Sequence, residues 1–440
     1  MESPLAKLYQ ACDPMEAATT EQYVDCSDVR GSHAFSGRFC NALRNAGTGS
    51  SFLRFLITGH VGGGKSSELA HLQAKLESMD KPFLVVMMDA KDYIDDNDVT
   101  PNDILLAIIS ELAATVKSKT GVELSDSYLT RKLNELILFL GREVDVESVD
   151  VPLWEAKAKI KLLKQNETAR QQVRDKLLPI ESSFLQEINV VFEQARLEIR
   201  KKGYEDIVLI LDNLEKIQRL EGADEGSESH RELFIHRSQK FVGLKCSFVL
   251  TVPLTLVRTN SGALRNAYGE TPFTLPMVKV ATRDGETYEA GYVMLREVLR
   301  NRGVNDTIIE PDAQELLIQY SGGHVRDLLG SIRSAISLAT QDKVTLKEAR
   351  AALGQIVTSL NPTKPEWEVL AALECDPNRK LDSGDPVSAR ILEQLFALEY
   401  INGGDNEDFI QHEEPWYAIQ PLLKGTRSFK SALEAYKASK

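Results

Sequence analysis

Residues Gly59-His60-Val61-Gly62-Gly63-Gly64-Lys65-Ser66 follow the apolar run Phe52-Leu53-Arg54-Phe55-Leu56-Ile57-Thr58 and precede a stretch that sets Leu69, Leu72 and Leu76 on one helical face. Strand, glycine turn and helix in that order leave the backbone few alternatives. Glycines let successive N–H groups turn inward around an anion, Lys65 reaches outer phosphates, and the Ser66 hydroxyl suits Mg2+. The spacing therefore predicts a nucleoside triphosphate cradle made of Gly59, His60, Val61, Gly62, Gly63, Gly64, Lys65, Ser66 and Ser67. A glycine-rich turn without nucleotide is the other reading.

Five short apolar runs, at residues 52–58, 83–88, 207–211, 246–252 and 273–280, alternate with helical patterns. Such alternation requires crossover connections, so the fold class is α/β with a parallel sheet and ligand binding at the strands' carboxyl ends. Residues 101–205 are too long for a plain connection and must contain helices, marked by Ile104, Leu105, Ile108 and Leu112 and by Phe184, Ile188, Val191, Phe192, Ala195 and Ile199. Residues 154–178 are rich in lysine, arginine and glutamate and read as a protruding helical insertion, either a solvated face or a surface for a partner or nucleic acid. Asp89, Asp92, Asp95, Asp96 and Asp98 after the second run read as a solvated acidic loop rather than a metal site, since their spacing is irregular. The loop 221–230 is either a mobile segment near the catalytic edge or a linker.

Helical spacing at 293–301, 313–321, 325–339 and 346–358 predicts a small bundle. Beyond a turn at 361–365, two further helices are marked by Trp367, Leu370 and Leu373 and by Val387, Ile391, Leu395 and Leu398. A Gly403-Gly404 turn and short apolar runs at 409–410 and 416–419 follow. Helices followed by a β-hairpin suggest a winged-helix module. The resulting parse is a lead-in at 1–50, an α/β domain at 51–290 with a helical insertion at about 120–200, a helical lid at 291–360 and a winged-helix-like module at 361–440.

The 440 residues, 42% of them hydrophobic, suffice for a large core, and a net charge of −13 argues against binding nucleic acid or anionic membrane by bulk attraction. Cys12, Cys26, Cys40, Cys246 and Cys375 are odd in number, widely spaced and without a Cys-x2-Cys pair, which favours reduced buried thiols over a disulfide framework or zinc site. With no signal-peptide core and no span of roughly 20 apolar residues, the expectation is a cytoplasmic protein.

The third run ends in Leu211-Asp212-Asn213-Leu214-Glu215. An aspartate there is expected on the strand beside the one that feeds the glycine loop, holding Mg2+ through water while Ser66 coordinates it directly. Glu215 is placed to orient or deprotonate the attacking water, or else is a helix-start glutamate facing the macrodipole. Together these motifs resemble the AAA+ and signal-transduction (STAND, KAP) branches of P-loop ATPases over roughly residues 50–360. Asn213 stands where the usual AAA+ pair has a second adjacent acid, which favours the STAND- or KAP-like branch. The resemblance implies ATP and Mg2+ as ligands. It also implies a first-sensor role for Thr251, contacting water or the γ-phosphate; a threonine at a strand end is common in any case. Ser321-Gly322-Gly323-His324-Val325-Arg326-Asp327-Leu328-Leu329 looks like the second-sensor motif of initiator and STAND lids, with Arg326 reaching the phosphates; the alternative is a surface arginine paired with Asp327. The resemblance places Arg258, Arg265 and Arg283 in the region that in oligomeric relatives can face a neighbour's nucleotide, the other reading being ordinary surface arginines, and places residues 23–31 where related ATPases often carry a base-contacting segment.

The candidate recognition helix at 387–400 has Arg390 as its sole cation beside Glu393 and Glu399, and the expected wing holds Asp405, Glu407, Asp408, Glu413 and Glu414. Acid at a groove-facing edge repels phosphate, so packing or protein binding is favoured over DNA. The function expected is an ATP-binding and hydrolysing switch that controls assembly with a protein partner, as a homo-oligomer away from membranes; the resemblance extends to prokaryotic proteins of antiviral defence. The alternatives are a DNA-associated loader or initiator and a scaffold that holds ATP without turnover.

Overall fold

Leu69, Leu72 and Leu76 are completely buried along the helix Lys65–Glu77, and the strand before that helix buries its last four residues. The strand-loop-helix unit expected from the glycine motif is therefore in place. These and all following coordinates come from a computed structural model. It describes residues 3–46, 51–124, 161, 164–178, 181–218, 226–402 and 414–440.

One sheet has the strands β1 (Arg54–Thr58), β2 (Leu84–Asp89), β3 (Ile207–Asp212), β4 (Ser247–Thr251) and β5 (Phe273–Thr274), in the spatial order β2-β3-β4-β1-β5. The pairs β2·β3, β3·β4 and β4·β1 are parallel, with Asp89 opposite Asp212 and Ile57 opposite Thr251. The chain leaves β1 for the far edge at β2 and returns through β3 to β4, then crosses beyond β1 to β5. The direction of winding thus reverses between β1 and β4, the place in a parallel α/β sheet where ligands bind outside the carboxyl ends of the strands. Here the Thr58 hydroxyl donates to Val252 O at 2.8 Å. One expectation is corrected: β3, with Asp212, is not beside β1, because β4 lies between them.

The fifth apolar run forms a two-residue strand rather than an eight-residue one. Past Thr274 the backbone leaves the sheet and bonds elsewhere, Met277 N–H to Glu399 O at 3.0 Å and Lys279 N–H to Val29 O at 3.4 Å. Hydrophobicity marked burial correctly there, but not the bonding partner.

The chain forms two compact units, each discontinuous in sequence. One combines residues Ser36–Thr58 and Leu72–Phe273, the other Met1–Phe35, Gly59–His71 and Thr274–Lys440. In the first unit, helices Pro101–Thr120 and Glu181–Arg200 pack on the sheet through Ile104, Ile108, Leu112, Phe184, Val191 and Phe192. Thr100 and Asp103 close a reciprocal capping box, Pro101 opens the first helix and Gly121 ends it in the left-handed region.

In the second unit, helices Glu289–Arg300, Pro311–Ser321, Val325–Leu338 and Leu346–Val357 enclose a core that also takes Leu5, Leu8, Cys12, Cys26 and Val29 from the N-terminal segment. The C-terminal part has helices Lys364–Cys375 and Pro386–Glu393, then the antiparallel strands β6 (Ala397–Tyr400) and β7 (Trp416–Ile419), then helices Pro421–Lys424 and Arg427–Ala438. The expected recognition helix is therefore shorter: Gln394 ends it, Leu395 takes a left-handed φ of 59°, and residues 397–400 form a strand instead. Leu398 is buried in that strand, so the helical spacing read through it is accidental. The expected run 409–410, the Gly403-Gly404 turn and the acids Asp405, Glu407, Asp408 and Glu413 lie outside the described residues, as do 219–225 of the loop after β3 and most of the insertion before residue 164.

The described part of that insertion corrects the picture of a solvated basic face. In the helix Glu167–Leu177, Arg170 is buried and donates to Asp98 through Nε at 3.0 Å and Nη2 at 2.8 Å, while also pairing with Asp95. Arg174 bridges Asp98 and Asp103 at 2.8 and 2.7 Å. Two features read separately, an acidic loop and a basic helix, are each other's partners.

Four cysteines are buried as expected, and Cys375 is exposed. Among the described residues no helix is long and apolar enough to cross a membrane.

Candidate phosphate loop and the carboxyl edge of the sheet

The glycine loop is held by its carbonyl oxygens. Lys65 Nζ donates to Gly59 O at 2.8 Å and to His60 O at 3.1 Å. Val61 O contacts His324 Nε2 at 2.7 Å. Gly62 O accepts the Arg326 backbone N–H at 3.2 Å and Gly63 O accepts Arg30 Nη2 at 2.8 Å. Gly64 O accepts the Glu68 N–H as the helix begins, at 3.1 Å. Every carbonyl from Gly59 to Gly64 is thus engaged.

A trans peptide is planar, with its C=O and the following N–H antiparallel. Fixing a carbonyl outward therefore aims the next N–H at the opposite side. The N–H groups of Gly62 and Gly64 follow the braced carbonyls of Val61 and Gly63, and neither has a hydrogen-bond partner among the described residues. Converging N–H groups at the start of a helix form a cradle suited to phosphate oxygens. Glycine is needed sterically too: a Cβ on Gly62, where φ is 84°, would lie 2.7 Å from His324 Nε2, and one on Gly59 would lie 2.5 Å from Leu275 O.

His324 is fully buried, and its Nδ1 lies 2.9 Å from Asp327 Oδ2. A carbonyl thus lies at one ring nitrogen and a carboxylate near the other, and Nδ1 makes no hydrogen bond among the described residues. His60 points away from the cradle, and its Nε2 accepts the Glu399 N–H of β6 at 3.0 Å. The expected Arg326 meets the loop through its backbone, while its side-chain Nε donates to Pro14 O at 3.1 Å. Ser67 is engaged through its hydroxyl, which accepts Ala18 N–H at 3.0 Å.

The N-terminal segment runs along the same helix. Tyr23 stacks on His71 with centroids 3.9 Å apart, and its hydroxyl donates to Glu68 at 3.0 Å. Burial, reinforced by the Glu68 charge, pushes the Tyr23 phenol up. Arg30, which the sequence reading passed over within residues 23–31, donates to Gly63 O and to Pro276 O and is buried. Its only local marker is the following Gly31, left-handed with φ 70° and ending the short helix Ser27–Arg30.

In the sheet unit, the carboxyl ends of the strands carry the other expected residues. Asp212 is buried at the end of β3, and its Oδ1 accepts the Asn213 N–H at 2.7 Å. Asn213 adopts φ 63°, a conformation asparagine tolerates, and its side chain donates to Asp89 Oδ2 at 2.8 Å. That geometry explains why an amide stands here: a second acid would face Asp89 without a proton to share. Glu215 follows in the short 3-10 turn Leu214–Lys216. Thr251 is fully buried and its hydroxyl oxygen accepts the Leu214 N–H at 3.0 Å, so it holds the turn that bears Glu215. Burial lowers the pKa of nearby His230 and outweighs the Glu215 charge, favouring a neutral ring. Among the described residues no group of three or more His, Cys, Asp or Glu side chains could hold a metal ion.

No family model and no curated protein matches the chain. Among solved structures it is similar to the Aeropyrum pernix ORC2 protein in its ADPNP-ADP complexes, at 12% identity over 98% of each chain and a TM-score of 0.47. It is also similar to Cdc6p from Pyrobaculum aerophilum, at 12% identity over 94% of this chain and 98% of that one, with a TM-score of 0.40. A third is the Aeropyrum pernix ORC1 protein in complex with DNA, at 13% identity over 95% and 97%, with a TM-score of 0.38. Likeness at this level is compatible with many chemistries, and function follows from the site's own residues.

Proposed function

We infer that the chain binds ATP with Mg2+, hydrolyses it, and uses the bound nucleotide to control assembly with a protein partner. The observation that supports this most is the glycine loop with all six carbonyls engaged and a buried lysine at its end. Thr58, at the winding reversal between β1 and β4, is bonded directly to Gly59, the first residue of that loop.

In this reading the N–H groups of Gly62 and Gly64 bind the phosphates and Lys65 turns from the loop carbonyls to the outer phosphates. Ser66 and Asp212 hold Mg2+, which supplies charge neutralisation when bound. Glu215 acts as base toward water, and Thr251 positions its turn while keeping a hydroxyl proton to donate. Arg326 joins the phosphates from the lid. Regulation follows from the bracing: a phosphate in the loop bears on His324 and Arg326 of the lid and, through His60, on Glu399 of β6. Nucleotide state is thereby connected to the helical and C-terminal parts of one unit.

The alternative, an ATPase loaded on nucleic acid, needs free cations. Arg170 and Arg174 are paired with aspartates, and Arg390 lies 3.2 Å from Glu366. The test is ATP turnover and particle size of the full chain with ADP, ATP and a slowly hydrolysed analogue, each with and without duplex DNA. Turnover and an ATP-dependent change of size without DNA are expected. Failure to bind nucleotide overturns the reading, and strict dependence on DNA replaces it with the loader.

A further inference from the structure

Arg30 is a buried cation without a carboxylate at ion-pair distance among the described residues. Its two terminal nitrogens donate to backbone carbonyls, Gly63 O at 2.8 Å and Pro276 O, while its Nε is buried with no hydrogen-bond partner. Glu68 feels its charge, although burial drives that carboxyl up despite the pull of Arg30. A guanidinium taken out of water and satisfied only by carbonyl dipoles is an unfavourable arrangement unless a further anion compensates it.

The geometry shows where that anion belongs. Arg30 Nη2 lies 3.2 Å from the point a Cβ on Gly64 would occupy, against the loop itself. By gripping Gly63 O from outside it also fixes the peptide plane whose other end is the Gly64 N–H.

We propose that Arg30 is a phosphate-positioning residue: it sets the Gly64 N–H toward the cradle and places a permanent positive charge against the loop for the nucleotide's polyphosphate. This rests on the ATP reading and adds a residue that the glycine motif does not contain. The ligand class follows from the charge, since the contribution must grow with the number of phosphate charges and vanish for a nucleoside. A side chain that merely fills space would affect ATP, ADP and adenosine alike.

The experiment measures affinity of full-length wild type, Arg30→Gln and Arg30→Lys for ATP, ADP and adenosine at two salt concentrations, with melting temperature recorded for each. Arg30→Gln keeps a donor for Gly63 O and removes the charge. A loss of about tenfold or more for ATP is expected, smaller for ADP and absent for adenosine, with partial recovery in Arg30→Lys and a shallower salt dependence in Arg30→Gln. Equal losses for all three ligands, or unchanged ATP affinity in a folded Arg30→Gln, overturn the proposal. If Arg30→Gln does not fold, Arg30→Lys decides alone: it must weaken ATP more than adenosine. Wild type that binds none of the three contradicts the ATP reading itself, a distinct outcome.

Discussion

The glycine loop and the acid-tipped end of β3 are both turns at strand ends, yet they are held in opposite ways. The loop is fixed by residues far away in sequence: Arg30, His324 and Arg326 each take one of its carbonyls, and Glu399 anchors His60. The turn 212–215 is fixed by the sheet itself, with Thr251 of β4 and Asp89 of β2 supplying the partners. A loop whose shape depends on a lid and a C-terminal strand is able to report its occupancy to them. A turn clamped between neighbouring strands is suited to hold a reacting group still.

The difference predicts a dissociation between chemistry and binding. Glu215→Gln keeps size and hydrogen bonding but cannot accept a proton, so turnover should fall by roughly 10²–10⁴-fold while ATP affinity stays. Single-turnover and equilibrium-binding measurements separate the two, and normal hydrolysis in this variant moves the base elsewhere. Lys65→Ala should do the reverse on binding, weakening ATP by about 100-fold through loss of a charge-assisted contact, and it should lower the melting temperature without nucleotide because Gly59 O and His60 O lose their donor. Retained affinity would break the assignment of the loop.

How much of this was legible in the sequence follows from the range of the interactions. The loop, the helix behind it and the acid at the end of β3 are local patterns, and the four lid helices appear within a few residues of their expected bounds. Strand order is not local, so β4 could not be seen to separate β3 from β1. Arg30 has no periodicity or motif of its own; its role comes from a carbonyl 33 positions away. The acidic run 89–98 and the basic helix near 170 each look solvated when read alone, because pairing across about 70 residues leaves no trace in either stretch. At 395–400 a helical spacing continues by chance into a strand.

Two smaller effects sharpen the sheet side of the comparison. Thr251→Val leaves the buried Leu214 N–H without its acceptor, which should cost about 1–3 kcal/mol of stability and lower turnover, with ATP affinity retained. Thermal melting alongside kinetics tests this; a variant of wild-type turnover would show that Thr251 does not position Glu215. Burial raises the Asp98 carboxyl, but hydrogen bonds and charge from Arg174 and Arg170 outweigh it and hold the group below its ordinary value of 3.8. A depressed folded-state value stabilises the native state above the unfolded-state pKa, and the contribution is lost as pH falls through the folded one. Asp98→Asn should therefore cost about 1 kcal/mol at neutral pH and flatten the stability profile below about pH 4. An acid limb identical to wild type would show that the pairing with Arg170 and Arg174 contributes nothing.

Hydrogen–deuterium exchange of the peptide spanning residues 59–66, with and without ATP and Mg2+, tests most directly whether the braced loop presents its N–H groups to phosphate. Slower exchange with nucleotide in wild type, absent in Lys65→Ala, is the predicted result. Exchange in wild type that ATP leaves unchanged at saturating concentration would contradict it.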